Sequence, residues 1–417
     1  MARTARRTWP QRLTIVFLFL GALAAFGTAG GLAAGQWVLS DRVVVELPER
    51  SGDLAAGTEQ PNVVTPGATT APPVSQSGEP TTTTTLPLAE PDAANFLLTG
   101  ADNGDCAGLD DPTVGPRDAN NARSDTIMVW RVNPDTDQLA VLSFPRDLYV
   151  ELPDGGKGRI NGAYERDDPS DLIATLWINF QIPIDHYVQI DFCAFRTLVD
   201  AVGGVEVPFE HPARDSRVAF QVDKGCQLLD GNAALAYVRS RYYQWQDDEG
   251  TWHTDGTSDF GRIARQQDFL RRVLAEVISG ELYRPDTIGA LLETNRAYLV
   301  TDDQLTPRKI MEFANVLRAI NPADITTYRI ESKGRNVGGA AMQEPLLSGD
   351  NMQAILAVFR GQATLASAPE QTFGTTVPEG QSGFAPAPAA TTPPTTVPTV
   401  VAEQNPSGVS PDPTATC

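Results

Sequence analysis

Apolar residues are distributed along the chain in four regimes. From Leu13 to Ala34 they run without a charged residue, about the length that crosses a bilayer. Between Asp41 and Pro91 they thin to one short run, Val43 to Val45, amid Pro, Thr, Gly and Ser. From Asp92 to Gly361 they recur with the periods of secondary structure, and from Gln362 to Cys417 they thin again. Within 92–361, Asn95 to Thr99, Ile127 to Val132 and Leu139 to Phe144 read as strands. The last two are joined through Asn133, Pro134 and Asp135 into a hairpin. Leu172, Ile173, Leu176, Trp177 and Phe180 form a helical stripe that stops before Pro183, and Ile184 to Ile190 is the next strand. Phe192, Phe195, Leu198, Val199 and Val202 make another helical face, ended by Gly203-Gly204, and Val205 to Phe209 returns as a strand.

The stretch Ala236 to Gln267 carries the densest chemistry and is predicted as strand, long loop, helix. The apolar run Ala233 to Val238 reads as a strand whose period-2 alternation sets Arg239 and Arg241 on one face. Ile263, Leu270, Val273, Leu274, Val277 and Ile278 fall at helical spacing, with Asp259 where an N-cap belongs and Arg262 and Gln266 one turn apart. Helices interleaved with strands predict an α/β fold, a mixed central β-sheet covered by helices on both faces, preceded by one transmembrane helix.

Four arginines, Arg3, Arg6, Arg7 and Arg12, precede the apolar run. They predict a cytoplasmic N-terminus over residues 1–12, a single-pass signal anchor over 13–34, and everything after it on the outer side of the cell membrane. A cleaved signal peptide is the alternative, with small residues at Gly27-Thr28-Ala29. The run exceeds the usual apolar core of roughly 7–15 residues, which favours the anchor. Residues 35–91 read as a Pro/Thr-rich spacer and 362–417 as a disordered tail, because neither carries enough apolar surface to offset ordering entropy.

With 417 residues and a formal net charge of -20, the chain is a poor partner for nucleic acid, which requires a basic surface. An anionic ligand would need a local cationic pocket. The three histidines are widely separated and no CxxC occurs, which argues against zinc. Of the cysteines at 106, 193, 226 and 417, the pair expected in an oxidising exterior is Cys193 with Cys226. Both are flanked by patterned segments, whereas Cys417 lies in the tail. No G-x-S-x-G elbow is present to suggest a serine hydrolase.

Arg239, Arg241 and Arg262, with Gln266, offer forked donors that match phosphate oxygens. A second cluster lies at the ends of the first strands, Asp102, Arg123-Ser124-Asp125-Thr126 and Pro145-Arg146-Asp147, where ligands collect in open α/β sheets. Asp102 and Asp125 suit Mg2+, which commonly takes one or two carboxylates together with substrate phosphates. Taken singly, each arginine reads as surface and each aspartate as a turn or cap. Their coincidence points to a phosphorylated ligand.

The ordered set RSDT, PRD, GRINGAY, IPIDHYVQIDF, LVDAVGGVEV, LDGNAALAYVRSR and DFGRIARQQ, across about Asn95 to Ser279, resembles the LytR-CpsA-Psr family of cell-wall proteins. The resemblance implies an α-β-α sandwich and a membrane-anchored extracytoplasmic enzyme. Such an enzyme moves a glycopolymer from a polyprenyl-pyrophosphate carrier to a peptidoglycan hydroxyl. It places Asp102, Arg123, Asp125, Arg146 and Asp259 in a catalytic set, and Arg159, Arg239, Arg241, Arg262 and Gln266 in substrate binding. Two departures stand out. Asn103-Gly104 follows Asp102 where the family often has an arginine, leaving Arg117 as a substitute. An insertion, Tyr242 to Thr257, carries Trp245 and Trp252, which suit either sugar stacking or loop anchoring.

The implied reaction is attack of a sugar hydroxyl on the phosphorus nearer the glycopolymer. Asp102 and Asp125 would hold Mg2+, and Asp102, Asp125 or Asp147 would take the proton. Trp177, Phe180, Phe192 and Phe195 would either line a groove for the lipid or belong to the core. A lipid-pyrophosphate hydrolase using water at the same site and a non-catalytic glycopolymer- or lipid-phosphate-binding module are the competing readings.

Overall fold

The computed structural model describes residues 43–47, 88–101, 124–279, 299–373, 409–412, 415 and 417. The apolar segment 13–34 lies outside them, as do Asp102, Cys106, Arg117 and Arg123. Among the described residues no helix is long and apolar enough to cross a membrane.

Seven strands form the central sheet: β1 (Val43–Val45), β2 (Ala94–Ala101), β3 (Ser124–Asn133), β4 (Gln138–Ser143), β7 (His186–Asp191), β14 (Leu299–Asp302) and β15 (Thr326–Arg329). Their order is β1-β14-β7-β2-β3-β4-β15. The sheet is mixed. β2–β3, β3–β4 and β14–β7 are antiparallel, whereas β1–β14, β2–β7 and β4–β15 are parallel. Alternation along the strands sends Leu97, Ile127, Val129, Ala140 and Leu142 into one core and Met128, Val132, Leu139 and Val141 into another. The first core is covered by α1 (Ser170–Phe180) and α6 (Asp350–Phe359), and the second by α4 (Asp259–Ser279) and α5 (Pro307–Ala319). Helices therefore cover both faces.

A side lobe is built on α2 (Phe192–Ala201) and α3 (Gly231–Arg239). β8 (Val205–Phe209) pairs with β11 (Gly225–Leu229). β9 (Ala213–Asp215) and β10 (Phe220–Val222) join β12 (Gln244–Gln246) and β13 (Trp252–Thr254) in a four-stranded sheet. Two further hairpins, β5 (Tyr149–Glu151) with β6 (Lys157–Arg159) and β16 (Ser332–Val337) with β17 (Ala340–Pro345), complete the strands. The Asp191 side chain caps α2 and that of Asp230 caps α3, each accepting from a backbone N–H at 2.8 Å. Gly203 and Gly204, with φ of 87° and 94°, turn the chain out of α2 as the sequence predicts.

Three expectations are corrected. Ala233 to Val238 is not a strand but the body of α3. An Asp cap at 230 followed by Ala233, Ala234 and Ala236, the strongest helix formers, outweighs a short apolar run whose period is ambiguous. The spacer is not wholly outside the fold, since Val43–Val45 forms an edge strand parallel to β14 with Val45 in the core. The tail, expected to be disordered, also makes ordered contacts. The Gln371 side chain brackets the Arg329 backbone, accepting from its N–H at 3.0 Å and donating to its carbonyl at 2.8 Å, and Val409 is buried in the lobe.

Candidate functional site

The β3–β4 register pairs Met128 with Ser143, so the residue three before one lies beside the residue three after the other. That places Asp125 against Arg146, whose Nη1 donates to Asp125 Oδ1 at 2.5 Å. The first turn of α4 meets the same corner. Arg262, only 1% exposed, donates from Nη2 to the Asp125 carbonyl at 2.6 Å, and its Nη1 lies 3.2 Å from Asp125 Oδ2. Asp259 Oδ1 stands 2.8 Å from Arg262 Nη2, 3.5 Å from Arg241 Nε and 4.0 Å from Arg146 Nε. Asp147 extends the network, 3.5 Å from Arg146 Nε and 3.0 Å from Arg159 Nε. Arg159 also donates to the Ala341 carbonyl of β17 at 3.1 Å.

Four guanidinium groups thus surround three carboxylates, one positive charge in excess. Burial pushes the Asp125 carboxyl up, but the charges of Arg262 and Arg146 outweigh it and hold it below the ordinary range. Burial pushes Arg146 down, and Asp125 more than offsets that, leaving it above its usual value. Arg241 is pushed down by burial, reinforced by the like charge of Arg146. The Nε atoms of Arg146, Arg159, Arg241 and Arg262 are buried without a hydrogen bond. Donors crowded together in this way call for an anion with several oxygens.

The remaining sequence-predicted residues divide. Gln266 is structural in part, its amide nitrogen donating to Thr126 Oγ1 at 2.9 Å and to the Val238 carbonyl at 3.1 Å, tying α4 to β3 and α3. Arg239 ends α3 and stacks on Phe192 at 4.5 Å, so the two arginines do not share the face of a strand. Asp102 and Arg123 lie outside the described residues. Among the described residues no group of three or more His, Cys, Asp or Glu could hold a metal ion. Asp125, ionised and 36% exposed, is a carboxylate of the kind that binds Mg2+ together with phosphate, but both of its oxygens already face guanidinium groups, Oδ1 that of Arg146 and Oδ2 that of Arg262.

Several supporting residues escaped the sequence reading. Asp215 Oδ2 accepts from Ser240 Oγ at 2.8 Å and from the backbone N–H groups of Arg241 and Tyr242 at 3.1 and 2.8 Å, fixing the chain on both sides of Arg241. Arg265, fully buried, donates to the Ser240 carbonyl at 2.8 Å, to Asp255 Oδ2 at 3.0 Å and to the Val409 carbonyl at 2.7 Å. Its position three after Arg262, among apolar residues, marks it for the same buried side of α4. Asp215 has no comparable signal.

Trp245 stacks on His253 at 4.5 Å and tilts against His211 at 4.9 Å, while Arg214 lies 3.9 Å over Trp252. These rings anchor the β12–β13 hairpin. Phe180 is core, at 5.1 Å from Phe144, and Phe192 and Phe195 pack against the lobe.

The expected Cys193–Cys226 disulfide is not formed. Cys226 pairs with Cys417, Cα atoms 5.7 Å apart, and Cys193 is disulfide-bonded elsewhere. Cys193 is buried in the first turn of α2, whereas Cys226 sits exposed on β11 and meets the returning C-terminus. Arg272 steadies that terminus through the carbonyls of Asp412 and Ala415, at 3.1 and 3.0 Å.

Comparison with known proteins finds relatives in sequence and in fold. The sequence model of the LytR_cpsA_psr family matches residues 67–357. A relative in Oceanobacillus iheyensis, named polyisoprenyl-teichoic acid–peptidoglycan teichoic acid transferase TagU, is 31% identical over 257 residues, covering 60% of this chain and 70% of that protein. One in Corynebacterium glutamicum, named "Probable cell wall biosynthesis protein LcpB", is 34% identical over 203 residues, 48% of this chain but only 45% of that protein. Among solved structures, the LytR-Csp2A-Psr enzyme from Actinomyces oris superposes with a TM-score of 0.51 at 20% identity, covering 66% of this chain and 92% of that one. B. subtilis TagV gives 0.50 at 24% identity, covering 67% and 99%. At these identities the structures establish the fold alone.

Proposed function

The chain belongs to the LytR-CpsA-Psr family, and we propose on that basis that it transfers a glycopolymer from a polyprenyl-pyrophosphate carrier to a peptidoglycan sugar hydroxyl. The observation that carries the proposal is the convergence of Arg146, Arg159, Arg241 and Arg262 on one corner, with one positive charge in excess and their Nε atoms buried without a hydrogen bond. A pyrophosphate diester carries two negative charges, and its cleavage depends on positioning and on stabilising phosphoryl oxygens as their charge changes. The TagU relative is named for a reaction of this kind.

In the proposed reaction the acceptor hydroxyl oxygen bonds to the phosphorus nearer the glycopolymer. The bond from that phosphorus to the bridging oxygen breaks, and polyprenyl phosphate leaves with the bridging oxygen. The hydroxyl proton passes to a carboxylate. Asp125 is the poorer proton acceptor because Arg262 and Arg146 keep it ionised. Asp147, held between Arg146 and Arg159, and Asp102 are the other candidates. Asp259 positions Arg262 and Arg241, and Asp125 and Asp259 together keep the guanidinium groups gathered before the anion arrives. Mg2+, held by Asp125 and Asp102, would supply further charge neutralisation at the phosphates. In this reading the N-terminal apolar segment 13–34 anchors the domain on the outer face of the cell membrane.

The test is reconstitution of the full chain in detergent with a lipid-pyrophosphate glycan and Mg2+, with and without peptidoglycan oligomers, and products weighed by mass spectrometry. Transfer predicts a phosphodiester-linked glycan that requires acceptor. Release of glycan phosphate regardless of acceptor would identify a hydrolase, and retention of intact donor a binding module.

A further inference from the structure

Beside the arginine cluster, on the adjoining face of α4, lies a second pocket of about 440 Å3, within the ~300–1,000 Å3 range of small-molecule sites. Ile263, Gln267 and Arg271 form one wall, Thr326 and Arg329 another, and Phe373 closes the end. Arg329 is 8% exposed. Its guanidinium lies 3.9 Å over the ring of Phe260 and 4.9 Å from that of Phe373. Its Nε and Nη1 are buried with no hydrogen-bond partner, and among the described residues no carboxylate stands within ion-pair distance of it.

A guanidinium removed from water is ordinarily paired, because desolvating a charge is costly unless hydrogen bonds replace the lost solvation. Stacking on two phenyl rings returns part of that cost, but in-plane donors still need acceptors. Burial pushes Arg329 down to about 10, with Glu331 and Asp259 acting on it only through space, so it remains cationic at neutral pH. Arg271 already spends its donors on the Ile325 carbonyl at 3.3 Å and Thr327 Oγ1 at 2.7 Å. Those neutral acceptors leave Arg271 cationic, but its bonded donors are turned to the backbone and Thr327, so Arg329 is the arginine of the pocket with buried, unbonded donors. Asp268, Asp324 and Glu370, which also line it, disfavour a polyanion, and Thr326 and the Phe373 ring suit a hydroxyl and an apolar sugar face.

We propose that this pocket is a binding site for a sugar carrying a single negative charge, as a carboxylate or a phosphate diester, with Arg329 bonding the charged group. It is separate from the pyrophosphate cluster, although Phe260 stands next to Asp259 in the chain, so one extended glycan could reach both.

Isothermal titration of the full chain in detergent at neutral pH with glucuronate, the methyl phosphodiester of glucose and neutral glucose, without any lipid pyrophosphate, tests this independently of transfer. At least one acidic sugar should bind saturably, and which one does identifies the charged group; glucose should bind at least tenfold more weakly. Arg329→Gln should weaken the acidic sugar by about tenfold or more, the loss of a charge-assisted hydrogen bond. Arg241→Gln should change it less than about twofold. Phe373→Ala, which removes one ring and leaves the charge, should weaken it as well and stands in if Arg329→Gln does not fold. Failure of both acidic sugars to bind, equal binding of glucose, or loss in Arg241→Gln with retention in Arg329→Gln would overturn the proposal.

Discussion

Arg262 holds Asp125 at two points, its carbonyl at 2.6 Å and its carboxylate at 3.2 Å. The first contact welds α4 to the start of β3 whatever the protonation state. The second sets the charge balance of the site. One buried side chain therefore couples the fold to the chemistry.

Replacing Arg262 should accordingly cost both. Arg262→Ala leaves Asp259 with a weaker set of partners and opens the Asp125 carbonyl, so unfolding free energy should fall by about 3 kcal/mol, as for breaking a buried pair. Arg262→Lys keeps the charge and loses the fork that reaches two acceptors, so it should recover only part of the stability and of donor binding. Urea unfolding and donor titration on the same preparations check this. Arg262→Lys matching the unmodified protein in both would refute it.

The low carboxyl of Asp125 predicts a direction in acid. A group whose folded value is depressed contributes stability that is present above its unfolded value, about 3.9, and lost as pH falls through the folded value. Stability should therefore drop below about pH 4, and Asp125→Asn should drop less steeply in that window while being less stable at neutral pH. Denaturation midpoints from pH 2.5 to 7 report the difference, and parallel curves would exclude a role for Asp125.

Gly261 predicts a steric requirement. A Cβ there would run into Asp255 Oδ2 and come within 2.8 Å of Thr257 Oγ1, displacing the carboxylate that holds Arg265. Gly261→Ala should destabilise by about 1–3 kcal/mol, as overpacking does, and reduce donor binding by shifting Arg241 through Ser240. Doubling the change with Asp255→Ala should add little. Full additivity in a double-mutant cycle would show that the two residues act separately.

The C-terminal disulfide predicts a mapping result and a stability effect. Non-reducing peptide maps should recover Cys226 joined to Cys417. Cys226→Ser and Cys417→Ser should each destabilise, by up to about 4 kcal/mol for so long a loop, and the double variant should be no worse than either. Recovery of Cys193 joined to Cys226 would contradict the structure.

Much of the architecture was legible because its signals are local. The β3–β4 hairpin follows from alternating residues around Asn133-Pro134-Asp135, and α1 and α2 from stripes of period 3.6 closed by Pro183 or Gly203-Gly204. The partnership of RSD, PRD and D-x-G-R was anticipated from the clustering of charges at strand ends together with the family resemblance, and the structure brings Asp125, Arg146, Asp259 and Arg262 within a few ångströms.

What only the tertiary structure decided concerns residues whose partners are remote in sequence. Val43–Val45 is too short to announce itself as a strand, and becomes one because β14 offers it a parallel edge some 250 residues on. Ala233 to Val238 has a pattern compatible with either period, and a cap at Asp230 together with packing in the lobe selects the helix. Cys226 bonds Cys417, 191 residues away, because exposure on β11 and the return of the C-terminus set the pairing, and neither is encoded near either cysteine. Local sequence specifies backbone preference and residue chemistry through short-range sterics and periodicity. Which charges are buried, and against what, depends on contacts made only once the whole sheet and its helices have assembled.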